Sequence, residues 1–181
     1  MHDCIEKVLI KEEDIIVRCQ QLAKQITNDY KNLPGTPIVV TLLMGGIPFL
    51  SELIKHIDID IHMDYMDVSS YQGTKSTRDV KIIKDLDGSI DGLDIILLED
   101  IIDTGYTLKK VIDLLYNKGA NSVKVVSLLD KPSKRLIDIK ADYIGFTIED
   151  AFVVGFGLDF NQLYRNLPYI GILKKEYYME D

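Results

Sequence analysis

Cysteine is nearly missing from this 181-residue chain. Cys4 and Cys19 are the only two, both near one end. That excludes a disulfide framework and a thiolate zinc site, and it points to a reducing compartment. Basic charge is also short: 21 Lys and Arg stand against 29 Asp and Glu, a formal net charge of −8. A surface this acidic works against non-specific attachment to nucleic acid or anionic lipid, so neither is expected as a partner. Long apolar runs are lacking too. The longest, residues 37–50, is interrupted by Gly45, Gly46 and Pro48 and is too short to span a bilayer. The opening residues, Met1-His2-Asp3-Cys4-Ile5-Glu6-Lys7, contain acids, and no long apolar stretch follows them. No signal peptide is therefore expected, and a cytoplasmic location is. Internal repeats, low-complexity tracts and linkers do not occur. What remains is one domain with room for a sizeable core.

The apolar residues that are present fall into two patterns. Over residues 12–28, Ile15, Ile16, Cys19, Leu22, Ala23 and Ile26 recur at helical spacing. A Pro- and Gly-rich break at 32–37 follows, and then Ile38-Val39-Val40-Thr41-Leu42-Leu43 reads as a buried strand. Gly45-Gly46 makes a tight turn into a helix over 47–57. Residues 59–65 alternate apolar and polar as a half-exposed strand does. Residues 69–79 show no periodicity and read as a mobile loop, and 80–84 as a short strand. Ile95-Ile96-Leu97-Leu98 is a second buried strand. Leu108, Val111, Ile112, Leu114 and Leu115 give the next helix its apolar face, and Gly119 ends it. Strands are also expected at 123–129 and 143–148, with short ones at 152–154 and 169–173. This alternation predicts an α/β fold, a mostly parallel twisted sheet flanked by helices. Ligands in such sheets bind at the carboxyl ends of the strands.

One segment stands at such an end: Leu97-Leu98-Glu99-Asp100-Ile101-Ile102-Asp103-Thr104-Gly105-Tyr106-Thr107. A plain helix start needs only one capping side chain, yet here three carboxylates crowd a small hydroxyl-bearing turn. Acids able to bind hydroxyls or a metal, beside backbone N–H groups able to hold a phosphate, point to a sugar-phosphate ligand. Three chemistries compete for the segment. Asp103-Thr104-Gly105 matches the aspartic protease triplet, but that fold is all-β and here a helix follows. A phospho-acceptor receiver domain also carries acids at strand ends, and Lys131-Pro132 resembles its Lys-Pro element. Such domains are shorter and lack the Thr-Gly-x-Thr turn. A phosphoribosyl site, in which the paired acids accept from two ribose hydroxyls and the turn takes the 5′-phosphate, uses every polar residue.

Residues 97–107 resemble the phosphoribosyl-pyrophosphate (PRPP) signature of the type I phosphoribosyltransferases. Within that family the chain is similar, over nearly its whole length, to the bacterial enzymes acting on hypoxanthine and guanine. Four further segments carry the resemblance in the family's order: Leu43-Met44-Gly45-Gly46, Ser69-Ser70-Tyr71, Ser127-Leu128-Leu129-Asp130-Lys131-Pro132, and Asp150-Ala151-Phe152-Val153-Val154-Gly155 through Asp159 to Arg165. The resemblance implies a single phosphoribosyltransferase domain over residues 1–181, with the chain ends forming a small hood over the purine site. It implies transfer of 5-phosphoribosyl from PRPP to N9 of hypoxanthine or guanine, giving IMP or GMP plus pyrophosphate, with Mg2+ as cofactor. By the same resemblance Glu99 and Asp100 hold the ribose hydroxyls and lie near the metal. Asp103 is the catalytic acid–base group near the purine N7. Thr104, Gly105, Tyr106 and Thr107 form the 5′-phosphate turn, and the Tyr106 side chain has no assigned chemistry. Met44 and Gly45 meet pyrophosphate through their backbone, Asp159 binds magnesium, and Arg165 holds pyrophosphate. Phe152 stacks on the base, Val153 offers backbone groups to its edge, and Lys131 donates to the 6-oxo group. Ser70 and Tyr71 belong to a loop that closes over the reacting centre. A homodimer or homotetramer is implied.

Two positions depart from the family pattern. Met44 stands where lysine is usual, so activity is expected to survive with weaker pyrophosphate affinity, which product inhibition measures. Arg78 replaces a common glycine in the loop. Competing functions are a regulator of the same fold that binds RNA, which the net charge of −8 opposes, and transfer to xanthine or adenine. Lys131 opposes adenine, because an ammonium donates and cannot accept from an amino group.

Overall fold

The computed structural model describes residues 2–70 and 80–178. Among the described residues the chain forms nine strands and three α-helices. In chain order these are β1 (Ile5–Ile10), α1 (Glu12–Tyr30), β2 (Ile38–Leu43), α2 (Gly46–Ile54), β3 (His62–Ser70), β4 (Val80–Lys84), β5 (Asp94–Ile102), α3 (Tyr106–Asn117), β6 (Ser122–Asp130), β7 (Tyr143–Thr147), β8 (Val153–Val154) and β9 (Ile170–Leu173). Six strands make the main sheet in the order β4-β3-β2-β5-β6-β7. Every pairing in it is parallel except the antiparallel β3–β4 hairpin at one edge. A second, antiparallel sheet has the order β1-β9-β8 and is built from the two ends of the chain.

The continuous apolar runs arise because both faces of the main sheet are covered. In β5, Ile96 and Leu98 pack with Ile15, Cys19, Leu22 and Ile26 of α1 and Phe49 and Leu53 of α2. Ile95 and Leu97 turn the other way, onto Leu108, Val111 and Leu115 of α3. The helical spacing over 12–28 is thus the buried stripe of α1, and each fully buried Leu or Ile contributes about 1.5–3 kcal/mol relative to exposure. Gly119, at φ +93°, ends the last turn after α3.

Three features differ from the sequence expectation. The strand β1 is new, since Glu6 and Lys7 break its apolar pattern and its partner β9 lies at the opposite end of the chain. Ser69 and Ser70 belong to β3, where they pair with Lys81 and Val80, rather than to a loop. The rest of the expected mobile loop, with Tyr71 and Arg78, lies outside the described residues. Finally, β5 runs on to Ile102, so Glu99 and Asp100 lie within the strand and not beyond it.

Candidate active site

The carboxyl ends of β2, β5 and β6 form one rim, and every sequence-derived site residue among the described ones, apart from Ser70, belongs to this rim or to the stretch from Phe152 through β8 to Arg165. After β2 the chain turns at once into α2. A Cβ on Gly45 would lie 1.6 Å from Asp100 Oδ2, and one on Gly46 would lie 2.2 Å from Thr41 Oγ1. A Cβ on Gly157 would meet the Gly45 carbonyl oxygen at 2.0 Å. The 44–46 turn is therefore clasped between Asp100 and the segment after β8, with no room for side chains at the contacts. The Leu43–Met44 peptide bond is cis, and the Met44 side chain is exposed.

Strand alternation breaks at the acids. Leu98 and Ile101, three residues apart, face the same core, while Ile102 faces the other. At the break the Ile101 N–H donates to Asp100 Oδ1 at 2.7 Å. Glu99 and Asp100 are both half-buried. Burial, and then the adjacent Asp100 charge, hold Glu99 well above the usual carboxylate range. Burial pushes Asp100 up to about 6, against the opposing pull of the Ile101 N–H and the Arg165 guanidinium. Ionising both carboxylates is therefore costly in the protein alone, and a bound cation would offset that cost.

This has a consequence for stability. In the metal-free protein these acids keep protons that the unfolded chain has already released above about pH 4. Folding strength is then fully present below that pH and falls as pH rises through about 6, where Asp100 ionises. The expected loss is roughly 2–3 kcal/mol. Urea unfolding at pH 4 and pH 7.5 measures it, and the difference should shrink in a Glu99→Gln/Asp100→Asn variant. Equal pH dependence in that variant would assign the effect elsewhere.

Asp103, exposed, follows β5 directly and leads into the phosphate turn. Gly105 sits at φ +87°, and a Cβ there would lie 2.7 Å from Ile139 Cγ2. The position therefore demands glycine twice, for its backbone and for the lack of space. α3 starts at Tyr106, so a helix N-terminus, which suits an anion, stands just after β5. The segment after β6 grips this turn from below. Leu136 N and Ile137 N donate to the Thr104 carbonyl at 3.0 and 3.2 Å. Arg135 donates to the Asp103 carbonyl at 2.7 Å and pairs with Asp130 at the end of β6.

Lys131 is buried next to that pair. Its backbone N–H reaches the Ile102 carbonyl at 3.1 Å, and its Nζ donates to the Ala151 carbonyl at 2.9 Å with Asp150 Oδ1 at 3.9 Å. It lines a cavity of about 280 Å³ together with Asp100, Ile101, Asp103, Phe152, Val153, Leu158 and Asp159. That is close to the lower end of small-molecule pockets, about 300 Å³. Asp159 and Arg165 close the far side through a 2.9 Å ion pair. Arg165 also donates to the Gly157 carbonyl at 2.7 Å, and its buried Nε has no hydrogen-bond partner among the described residues.

Among the described residues no group of three or more Asp, Glu, His or Cys side chains forms a metal cage. Two uncompensated carboxylates, with a third engaged by arginine, suit a hard cation that keeps water and phosphate oxygens as most of its ligands. That is the preference of magnesium. The sequence reading missed Ile101 and Leu158, which line the cavity, and the Asp130–Arg135 pair. Ile101 lies inside the signature but is apolar, so only its place in the fold reveals it. Arg135 and Asp130 carry no motif that marks them as partners.

Residues 9–161 match the family model described as "Phosphoribosyl transferase domain". The chain is 54% identical over 175 residues to the hypoxanthine-guanine phosphoribosyltransferase of Lactococcus lactis subsp. lactis (strain IL1403), covering 96% of this chain and 94% of that protein. It is 53% identical over 178 residues to the hypoxanthine-guanine phosphoribosyltransferase of Bacillus subtilis (strain 168), covering 98% and 97%. The crystal structure of a hypoxanthine phosphoribosyltransferase from Staphylococcus aureus (tetragonal form) superposes with a TM-score of 0.93 at 51% identity, covering 99% of this chain and 97% of that one.

Proposed function

Since this chain belongs to the phosphoribosyltransferase family, we propose that it is a purine salvage enzyme transferring 5-phosphoribosyl from PRPP to N9 of hypoxanthine or guanine. The observation that carries the reading is the shared cavity: Lys131, Asp103 and Phe152 line the same space as Asp100 and Asp159. The small sheet from the two chain ends is read as a hood over the purine side of that cavity.

In the reaction the bond from the ribose C1′ to pyrophosphate breaks and the bond to N9 forms. The leaving pyrophosphate takes the electron pair, and C1′ becomes cationic on the way. In their ionised form Glu99 and Asp100 accept hydrogen bonds from the ribose hydroxyls, and their negative charge would favour the cation. Asp103 takes the proton that the base sheds at N7. Thr104 to Thr107 hold the 5′-phosphate through backbone N–H groups and hydroxyls. Met44 and Gly45 meet pyrophosphate with their backbone, and Arg165 adds its guanidinium, whose Nε is a buried donor awaiting an oxyanion. Glu99, Asp100 and Asp159 are the proposed magnesium ligands; the metal, when bound, offsets the charge of the leaving pyrophosphate. Lys131 donates to the 6-oxo group, Phe152 stacks on the ring and Val153 presents backbone groups to its edge. Ser70 and Tyr71 belong to the segment proposed to exclude water from the ribosyl cation.

Pyrophosphate release from PRPP and Mg2+ with each nucleobase in turn tests the whole reading. Turnover is expected with hypoxanthine and guanine and not with adenine; silence with both 6-oxopurines would sink it. Lys131→Ala is expected to lower kcat/KM for hypoxanthine about 10- to 100-fold, the loss of one charged hydrogen bond. Steady-state kinetics with PRPP saturating measure it, and an unchanged value would remove Lys131 from base recognition. No helix among the described residues is long and apolar enough to cross a membrane. A cytoplasmic homodimer or homotetramer is proposed, its size measurable by sedimentation equilibrium.

A further inference from the structure

Phe152 is held on two sides by aromatic rings. The edge of Phe160 lies against it at 5.6 Å between centroids and 86° between planes, and Tyr178 stacks face to face at 4.7 Å and 20°. Phe152 remains 37% exposed, and it lines the 280 Å³ cavity while Tyr178 does not. Phe152 therefore borders both the Tyr178 ring and the cavity, which Ile101 also lines.

Tyr178 is itself anchored. It packs on the buried cluster of Cys4, Ile5, Val154 and Leu173, which joins both chain ends. Its N–H donates to the Lys175 carbonyl at 3.1 Å, closing a short 3₁₀ turn. Just before that turn, Lys174 N donates to the Cys4 carbonyl at 2.9 Å and Leu173 N to the Phe152 carbonyl at 2.9 Å. The last residue of β9, from which this segment leaves, is thus tied to the backbone of the very residue whose ring Tyr178 covers.

We propose that Tyr178 is a positioning residue for the purine: its ring holds Phe152 in the plane that a base entering the cavity stacks upon. The inference rests on the reading of Phe152 as the stacking residue. A free Phe152 would have to be ordered on each binding event, at the entropic cost of immobilising one side chain. Tyr178 meets that cost at folding, and the second aromatic face adds to the stack at a favourable centroid separation. Nothing in this role involves PRPP, the metal or the proton transfer, so its signature is confined to the base.

The test is steady-state kinetics on the full chain. Tyr178→Ala is expected to raise KM for hypoxanthine and guanine about three- to ten-fold, with kcat and the PRPP KM moving less than about two-fold. Tyr178→Phe should keep the wild-type purine KM, because the ring and not the hydroxyl stacks. Tyr178→Leu, apolar but not planar, should behave like alanine, and the Phe–Leu pair decides the matter even if the alanine variant fails to fold. A leucine variant as good as phenylalanine, or a PRPP KM rising in step with the purine KM, overturns the proposal and leaves Tyr178 as ordinary packing. Phe152→Ala separates the two levels. If it leaves the purine KM unchanged, the stacking reading itself is wrong. If it raises that KM and Tyr178→Ala does not, only the role of Tyr178 fails.

Discussion

Asp103→Asn is expected to lower kcat about 10²- to 10⁴-fold while the KM values for PRPP and purine change only a few-fold. The size follows from the role, since an amide of the same shape can still donate and accept hydrogen bonds but cannot take a proton at neutral pH. The selectivity follows from the structure. What holds the turn in place is the Asp103 backbone carbonyl, gripped by Arg135, and not the carboxylate. The side chain is exposed at the cavity, so its replacement leaves no buried group unpaired. Single-turnover measurements with saturating PRPP and hypoxanthine isolate the chemical step. Loss of binding in step with rate would make Asp103 a structural residue and return the proton transfer to another group.

Arg135→Ala should have the largest effect on stability, about 3–5 kcal/mol. Arg135 and Asp130 are 14% and 13% exposed, so removing the cation strands a carboxylate in a poorly solvated place. The same guanidinium holds the Asp103 carbonyl, so the phosphate turn loosens as well. Arg135→Lys is expected to recover only part of the loss. A point charge can face Asp130 or the Asp103 carbonyl, whereas the planar fork spans both. Urea unfolding gives the stability, and the PRPP KM, expected to rise, reports the turn. A lysine variant equal to wild type in both would show that charge alone matters and that the fork does not couple the two strand ends.

The sequence carried the acids, the phosphate turn and the helix stripe of α1, because each is a local pattern. The apolar runs of β2 and β5 were legible as strands buried on both faces for the same reason. What stayed hidden depends on partners distant in the chain. β1 has charged residues in its middle and gains its identity only from β9. Glu99 and Asp100 read as residues beyond a strand, since acids are poor strand formers. The parallel ladder with β6 nevertheless carries β5 past them to Ile102. Ser69 and Ser70 became strand residues only through β4. At the site, the motif residues were legible, while Ile101, Leu158 and Arg135 were not, because an apolar wall and a backbone clamp have no composition that sets them apart.

The small sheet also fixes when the molecule can begin to work. β1 is synthesised well before its partner β9. At typical translation rates of about 5–20 residues per second, β1 waits on the order of ten seconds for a partner. Through that interval the nascent chain can already fold the β2–β5–β6 rim with its phosphate turn, while the wall bearing Phe152 and Val153 is still being made. The 5′-phosphate turn should therefore be in place on the ribosome before the wall that faces the base.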